Sequence, residues 1–358
     1  MRKEAMQRQK EWIASAKRAM SSTGTQSLKG ESAIARQPAP LVLLTLIYNF
    51  VMRVLAAIDA GSNAVRMLVA EVSGAGGGRF HRLRYERRTT RLAEDIERTG
   101  NLSPESMERT VFALRDYRRI LASYPVSGLR AVGTSAIREA ANGGLFIGRV
   151  LEETGIRLEA ISHEEESRLS AMGVTGFLDI SRSFILDIGG GSTEWMIAEG
   201  RKLLRSGSIP VGVVKLLELH GEDGLRGRIE ATARKLKEAV GPLPAGAVFV
   251  ITGGAASTAA SIDLGLARYE HEKVHGHEMD IPRLREIYRR LEPMTPDERK
   301  TVPGLEPDRA DLIVPGLGLI INIMGEFGLQ RLVASDTGLP EGLVLEILEG
   351  NADAGGPL

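Results

Sequence analysis

The chain has 358 residues, 43% of them hydrophobic and 26% charged, which is an ordinary composition for a globular protein large enough for two domains. Its 46 basic and 46 acidic residues balance, so no overall field attracts nucleic acid or a membrane, and neither is expected as a partner. The absence of cysteine excludes disulfides, thiolate metal sites and a cysteine nucleophile, and favours a cytoplasmic location.

The first 51 residues differ in composition from the rest of the chain. Residues 1–40 are rich in basic, small and polar side chains and are predicted to be mostly disordered. Residues 41–51 are mostly apolar, but the run is too short to span a bilayer and no small-residue cleavage site follows it. Met52 leads straight into a strand. We interpret residues 1–51 as a disordered or non-native extension, with a genuine anchor or regulatory arm as the alternative.

The part of the chain that follows Met52 alternates strands and helices. A helix start is marked by Ser103 as N-cap and Pro104 at the first helical position, followed by an apolar stripe. A glycine-rich hairpin is predicted at 74–78. The predicted elements of this half are, in order, strands over 54–58, 65–72 and 80–88, the helix beginning at 103, a strand over 129–132, a helix over 144–154, a strand over 157–161 and a helix over 164–173.

The second half repeats this arrangement. It is predicted to contain strands over 184–188, 193–198 and 202–209, a helix over 226–239 and a strand over 247–251. Each half opens with a strand, a glycine turn and a second strand, which indicates a duplicated α/β architecture. We therefore predict a first domain over 52–173, a second over 174–339, and a C-terminal helix near 340–350 that packs back on the first.

Two glycine-rich turns stand about 130 residues apart, and each follows an apolar strand. The first reads Asp-Ala-Gly-Ser-Asn at 59–63 and the second Asp-Ile-Gly-Gly-Gly-Ser-Thr-Glu at 187–194. Such turns can aim several backbone N–H groups at one anion, so the pair predicts two phosphate-binding loops facing each other across a cleft. A carboxylate beside a phosphate is repulsive unless a cation lies between them, so Asp59 and Asp187 together favour Mg²⁺. In the alternative interpretation each aspartate caps its own turn.

Three glutamates at 164–166 stand at the start of a predicted helix. The helix dipole stabilises carboxylates at this position, which is a purely structural explanation. A hydrolase also needs such a carboxylate to orient and deprotonate a water molecule. The spacing alone does not choose among the three.

Several arginines and histidines are further candidates. Arg138, Arg66 and Arg91 are candidate phosphate ligands because guanidinium matches phosphate oxygens in a bidentate way, with a solvated surface position as the alternative for each. Without a further ligand pattern, three neighbouring histidines are predicted to be hydrogen-bonding loop residues rather than a metal site: His271, His275 and His277.

Together these motifs resemble the exopolyphosphatase / guanosine pentaphosphate phosphohydrolase family, which belongs to the superfamily of sugar kinases, heat-shock ATPases and actin. The resemblance runs from about residue 53 to residue 348. Its most specific segments are the two glycine turns and the run Gly-Thr-Ser-Ala-Ile-Arg-Glu-Ala at 133–140. Lys-Val-His-Gly at 273–276 and Asp-Arg-Ala-Asp at 308–311, followed by Pro-Gly at 315–316, match as well.

The resemblance implies an α/β fold of two actin-like (ribonuclease H-like) domains and a phosphohydrolase activity on the terminal phosphate of polyphosphate or guanosine pentaphosphate. It implies Glu166 as the base and Arg138 as the residue that neutralises charge, with a divalent cation at Asp59, Asp187 and Glu194. The cation is expected to be Mg²⁺ or Mn²⁺, with K⁺ as a further candidate, and the protein a cytoplasmic homodimer of the stringent response. With Arg66 and Arg91, the expected phosphate ligands are Gly61, Ser62, Asn63, Gly189, Gly190, Gly191, Ser192, Thr193, Gly253 and Gly254.

The sequence departs from the family pattern at two positions. Ala64 stands where the family has a serine or threonine, and Pro340 replaces an arginine in the usual Leu-Arg-Glu-Gly. Two other functions fit the same superfamily: an ATP-dependent kinase, and a non-catalytic sensor of alarmone or polyphosphate. The preference between the two substrates cannot be predicted, since both present the same terminal phosphate to the same loops.

Overall fold

The computed structural model describes residues 52–73, 80–218 and 221–350. The predicted N-terminal extension over 1–51 and the hairpin predicted at 74–78 lie outside these residues. Within the described ranges, no helix combines the length and the apolar character needed to cross a bilayer.

The first half of the chain forms a five-stranded sheet with helices around it. Its strands are β1 (Met52–Ala60), β2 (Ala64–Ser73), β3 (Phe80–Thr89), β4 (Val126–Gly133) and β5 (Leu158–Ala160). Its helices are α1 (Ile96–Thr99), α2 (Pro104–Leu121), α3 (Ser135–Glu139), α4 (Gly143–Thr154) and α5 (His163–Thr175).

The second half forms a six-stranded sheet and the remaining helices. Its strands are β6 (Arg182–Ile188), β7 (Thr193–Glu199), β8 (Lys202–Ile209), β9 (Val248–Thr252), β10 (Glu278–Asp280) and β11 (Arg331–Ser335). Its helices are α6 (Val213–Glu218), α7 (Gly221–Val240), α8 (Gly254–Asp263), α9 (His271–Val274), α10 (Ile281–Leu291), α11 (Pro296–Arg299), α12 (Ile313–Phe327) and α13 (Leu339–Leu348), with a 3₁₀ turn at Pro307–Arg309.

The two sheets share one topology. The first has the strand order β3-β2-β1-β4-β5, with β1, β2 and β3 antiparallel and β4 and β5 parallel to β1. In the second, β8-β7-β6-β9-β11 repeats that order and those directions, and β10 adds an antiparallel edge strand. This repetition confirms the predicted duplicated α/β architecture.

The central strand of the first sheet is buried on both faces, which explains its unbroken apolar sequence. Ala56 and Ile58 pack with α2 and α4 on one face, whereas Leu55 and Ala57 pack with α13 on the other. The helix start predicted at Ser103 is confirmed, because the Ser103 side chain accepts a hydrogen bond from the backbone of α2. The larger core of the second half surrounds β6, β9, α8 and α12.

Helices α5 and α13 pack between the two sheets. We call the first sheet with α1–α4 the first lobe, and the second sheet with α6–α12 the second lobe. The face of α5 that carries Ala171 and Val174 packs on the second sheet, although the predicted boundary places α5 in the first domain. The C-terminal helix α13 packs on the first sheet. The division at residue 173 stays a prediction.

The crossing of α5 and α13 depends on two glycines. A Cβ atom on Gly173 would lie 1.8 Å from the carbonyl oxygen of Gly338, and one on Gly342 would lie 1.9 Å from that of Leu169. Real Cβ atoms do not approach a backbone oxygen so closely, so any larger residue forces the helices apart.

We expect Gly173→Ala to lower the free energy of unfolding by roughly 1–3 kcal/mol or more, because the new methyl group overpacks this crossing. Gly148→Ala is the matched control, since Gly148 is an exposed residue in α4 with open space around its Cβ position. This control should stabilise the protein by up to about 1 kcal/mol through helix propensity. Urea unfolding followed by circular dichroism measures both, and equal effects of the two substitutions would contradict the packing explanation.

Candidate phosphate-binding and catalytic site

The two glycine turns have the same local structure. In the first, the N–H of Gly61 donates to the carbonyl of Ala64 at 3.1 Å, and in the second the N–H of Gly189 donates to the carbonyl of Ser192 at 3.0 Å. Within the described part of the chain, the N–H groups of the residues inside each turn make no hydrogen bond: Ser62 and Asn63 in the first, Gly190 and Gly191 in the second. Each turn therefore has free donors for an anion.

The turns lie directly against each other. A Cβ atom on Gly191 would lie 2.7 Å from Ser62 Oγ and 2.4 Å from Ser135 Oγ, so this position needs glycine. A Cβ atom on Gly190 would also lie close to the first turn, at 3.2 Å from Ser62 Cβ. The free N–H groups of both turns thus belong to one cleft between the lobes, as predicted for two facing loops.

The ends of the central strands place four buried carboxylates beside the turns. Asp59, at the end of β1, stands opposite Arg66 in the strand register, and Asp187, at the end of β6, stands opposite Glu194. Glu166 follows in the first turn of α5, where the Ser162 side chain caps the helix. All four carboxylates are nearly inaccessible to solvent: Asp59, Glu166, Asp187 and Glu194.

Two of these carboxylates have local partners. Arg66 Nε donates to Asp59 Oδ2 at 2.6 Å, while the other Asp59 oxygen is buried without a hydrogen-bond partner. Burial nevertheless raises the pKa of Asp59 above its usual value, against the opposing charge of Arg66. Ser170 Oγ donates to Asp187 Oδ2 at 3.0 Å, and burial raises the pKa of Asp187 to about 6.

Glu166 and Glu194 form a second group with Arg138 and His163. Arg138 donates to Glu166 Oε2 at 3.0 Å and contacts His163 Nδ1 at 2.8 Å. His163 Nδ1 lies 3.4 Å from Glu194 Oε1, which also accepts from Ser208 Oγ at 3.0 Å. Burial and then the Glu194 charge raise the pKa of Glu166 well above its usual value. An ionised Glu166 is therefore a stronger base than a solvated glutamate.

The charge of this site fits a divalent cation. Arg66 pairs with Asp59 and Arg138 pairs with Glu166, which leaves the carboxylates of Asp187 and Glu194 without a guanidinium partner. His163, Glu166 and Glu194 each offer a ligand atom, and these atoms lie within 4.8 Å of one another. Carboxylate oxygens are the ligands that Mg²⁺ prefers.

Most of the remaining expected site residues line the cleft, and Arg91 and Thr193 differ from them. Arg91 is not among the residues that line the cleft in the described chain; it adopts a φ of 49° and pairs with Asp311 at 2.7 Å. Thr193 Oγ1 donates to the carbonyl of Val211 at 2.7 Å and so holds the local backbone. Other expected phosphate ligands line the cleft: Gly61, Ser62, Asn63, Arg66, Gly189, Gly190, Gly191, Ser192, Gly253 and Gly254.

Sequence reasoning missed several residues that line the cleft. Tyr85 and Arg87 project from β3, and Arg309 from the 3₁₀ turn contacts the carbonyl of Gly254 at 2.8 Å. Tyr85 and Arg87 are two residues apart in a strand and therefore share one face, which the sequence indicates. The many arginines of β3 gave no reason to choose these two positions. Arg309 lies in the segment 308–311, which resembles the family pattern, but no role was predicted for its residues.

The three neighbouring histidines lie apart from the carboxylates. His271 bonds Asp336, and His277 Nε2 lies 2.6 Å from Asp263 Oδ2. His275 Nδ1 accepts a hydrogen bond from the Asp336 backbone at 3.3 Å. In agreement with the sequence prediction, all three make hydrogen bonds.

Comparison with known proteins identifies the class. The model of the Ppx/GppA phosphatase family matches residues 68–351, and the chain belongs to this family. Exopolyphosphatase 2 of Mycobacterium tuberculosis is 29% identical over 312 residues, which are 82% of this chain and 98% of that protein. These matches confirm the resemblance inferred from the motifs.

Solved structures agree with this assignment. A Ppx/GppA family member of Aquifex aeolicus has a TM-score of 0.71 at 28% identity, over 84% of this chain and all of that chain. An exopolyphosphatase from Cytophaga hutchinsonii has a TM-score of 0.75 at 25% identity, over 83% and 98% of the two chains. The predicted two-domain α/β fold is thereby confirmed.

The raised pKa of Asp187 predicts how stability depends on pH. Burial shifts this pKa from 3.8 to about 6, so the folded protein binds this proton more tightly than the unfolded chain, and the contribution of Asp187 to the free energy of unfolding falls as pH rises from about 4 to about 6. Asp187→Asn removes this dependence, and at pH 7 it should stabilise the protein by up to about 3 kcal/mol.

Urea unfolding between pH 4 and pH 7, with a chelator present, measures this difference. Asp179→Asn replaces an exposed carboxylate with the same amide and serves as the matched control. A stability gain for Asp187→Asn that is equal at pH 4 and pH 7 would show that the carboxylate charge is not its cause.

Proposed function

We propose that this protein hydrolyses the terminal phosphoanhydride bond of inorganic polyphosphate. The observation that carries the proposal is the convergence of free N–H groups from two facing turns beside the buried carboxylate of Glu166. The exopolyphosphatases among its relatives support the substrate class. The proposal includes guanosine pentaphosphate as a second substrate. The turns offer donors to a terminal phosphate and do not distinguish the groups to which that phosphate is attached.

In the proposed reaction Glu166 takes a proton from a water molecule, and the water oxygen attacks the terminal phosphorus in line with the leaving group. The bond between this phosphorus and the bridging oxygen breaks. The shortened chain keeps the bridging oxygen, and orthophosphate leaves. Backbone N–H groups of Ser62, Asn63, Gly190 and Gly191 stabilise charge on the equatorial oxygens of the transferring group.

Arg138 has a positioning role in this proposal. Its guanidinium bonds both Glu166 and the carbonyl of Ile161, which directly precedes the N-cap of α5. The carboxylate is thereby held in one orientation at the start of the helix. A substrate phosphate close to Glu166 also lies close to this cation, so Arg138 reduces the repulsion between the two anions.

A divalent cation, Mg²⁺ or Mn²⁺, would be held by Glu194 and by Asp187, which stands opposite Glu194 in the strand register. His163 and Glu166 offer ligand atoms close to Glu194, and the unpartnered oxygen of Asp59 is the further carboxylate oxygen of the proposed set. When bound, it supplies Lewis-acid stabilisation of the phosphoryl charge. K⁺ and homodimer formation belong to the same proposal, and metal titration and light scattering test them.

We expect Glu166→Gln to lower kcat for phosphate release by roughly 10²–10⁴-fold, because the amide cannot accept the proton. Polyphosphate affinity should change little, since the turns are untouched. Glu164→Gln is the matched control, because Glu164 is exposed and lies two residues before Glu166 on the same helix. Full activity of Glu166→Gln would exclude Glu166 as the base.

The same phosphate-release assay separates the alternatives. Release of orthophosphate from polyphosphate with no acceptor present excludes a kinase. Tight polyphosphate or guanosine pentaphosphate binding without release from either would instead support a sensor.

We expect Glu194→Gln to weaken Mn²⁺ binding roughly 10–100-fold, because it removes one charge and one ligand oxygen from the buried cluster. Free Mn²⁺ is measured by electron paramagnetic resonance, which does not depend on turnover. Glu199→Gln, at an exposed position of the same strand, is the control. Equal Mn²⁺ affinities of the two variants would place the cation elsewhere.

A further inference from the structure

A buried lysine connects the two lobes beside the cleft. Lys215 in α6 is 4% exposed, and its ammonium group lies 2.7 Å from Glu139 Oε2 and 2.9 Å from Glu97 Oε1. Lys215 belongs to the second lobe and both glutamates to the first. Burial alone would lower the pKa of Lys215, but the bonds to Glu139 and Glu97 outweigh it and raise the pKa above 10.5. The lysine therefore stays charged at physiological pH.

The backbone of Lys215 is attached to the second glycine turn. The N–H groups of Val214 and Lys215 donate to the carbonyl of Gly190 at 2.9 and 3.3 Å. Gly212 also packs on this turn, because a Cβ atom there would lie 2.4 Å from the carbonyl of Gly190. A movement of Lys215 therefore moves the turn.

The two glutamates are attached to the opposite side of the cleft. Glu139 Oε1 accepts a hydrogen bond from Ser135 Oγ at 2.7 Å. The Ser135 hydroxyl lies beside the second turn, since a Cβ atom on Gly191 would be 2.4 Å from Ser135 Oγ. Glu97 lies in α1, which follows a segment bonded to the first turn: the N–H of Ala93 donates to the carbonyl of Ser62 at 2.9 Å. Lys215 thus joins the elements that carry both turns.

We propose that Lys215 is a positioning residue that holds the two phosphate-binding turns against each other. This proposal rests on the proposed function, because it explains how N–H groups from two lobes converge on one phosphate. When the lysine is removed, the lobes spend less time in the arrangement that binds substrate. The apparent affinity falls by the lost fraction, whereas the chemistry in the bound complex is unchanged.

We expect Lys215→Met to raise KM for polyphosphate at least roughly tenfold while kcat stays within about threefold, which is the signature of a smaller binding-competent population. Lys215→Arg keeps the charge and should recover most of the affinity. Lys300→Met removes another lysine of the second lobe, one that pairs with Asp297 at the surface, and should behave as wild type.

A second variant separates lost positioning from simple repulsion between Glu97 and Glu139. The triple variant Lys215→Met, Glu97→Gln, Glu139→Gln carries no charge at these three positions. If Lys215 positions the turns, the triple variant keeps the high KM because the bridge is still missing. Recovery of the wild-type KM in the triple variant would overturn the proposal.

Lobe coupling can also be measured without turnover. The chain has no cysteine, so Leu145→Cys in the first lobe and Arg226→Cys in the second give one exposed label site each. Double electron–electron resonance of the labelled protein without substrate should show a broader or longer distance distribution in Lys215→Met than in Lys300→Met. An unchanged distribution would overturn the proposal. If the wild-type protein releases no phosphate, the proposed function fails, while these distances still test Lys215.

Discussion

Four carboxylates are buried where the two sheets meet, and the arrangement of the surrounding structure follows from that constraint. Charges in such a place are tolerated only when other charges or hydrogen bonds accompany them. Arg66 on β2 and Arg138 on α3 supply two cations, and Ser170 and Ser208 supply hydroxyl donors. The raised pKa values of Asp59, Asp187 and Glu166 show that this compensation is incomplete. The site therefore favours the binding of a proton or a metal cation.

The same constraint explains why the helices beside the site are packed so tightly. Glu166 is fixed by α5, and α5 is held by its close crossing with α13 through Gly173 and Gly342. A looser crossing would admit water, which would stabilise the ionised carboxylate and weaken it as a base. The C-terminal helix is thus distant in sequence from the chemistry but adjacent to it in space. Burial of the carboxylates lowers the free energy of unfolding, and the packing of the surrounding helices offsets this loss.

The elements that could be predicted from the sequence are those with local signals. Strand periodicity placed Asp59 and Asp187 at strand ends, and the glycine turns predicted free N–H groups because such turns are built within about five residues. Nothing local marks Glu166 among three consecutive glutamates, and the family resemblance was needed to choose it. Lys215 could not be found, because its role depends on Glu97 and Glu139, which only the folded lobes bring near. The pairing of Arg91 with Asp311 has no local signal either, since the two residues are 220 positions apart in the sequence.

The two turns and Lys215 have different functions: the turns supply hydrogen-bond donors, and Lys215 holds the lobes together. Each turn carries free donors, but a terminal phosphate has three equatorial oxygens pointing in different directions, so donors on one side cannot satisfy them all. Opposed turns solve this problem only while the lobes stay together, and each lobe has a hydrophobic core of its own. Gly190 and Gly191 add no side chain to the contact between the turns. A charged bridge buried behind the turns therefore provides the attraction that the turns, by their chemistry, cannot.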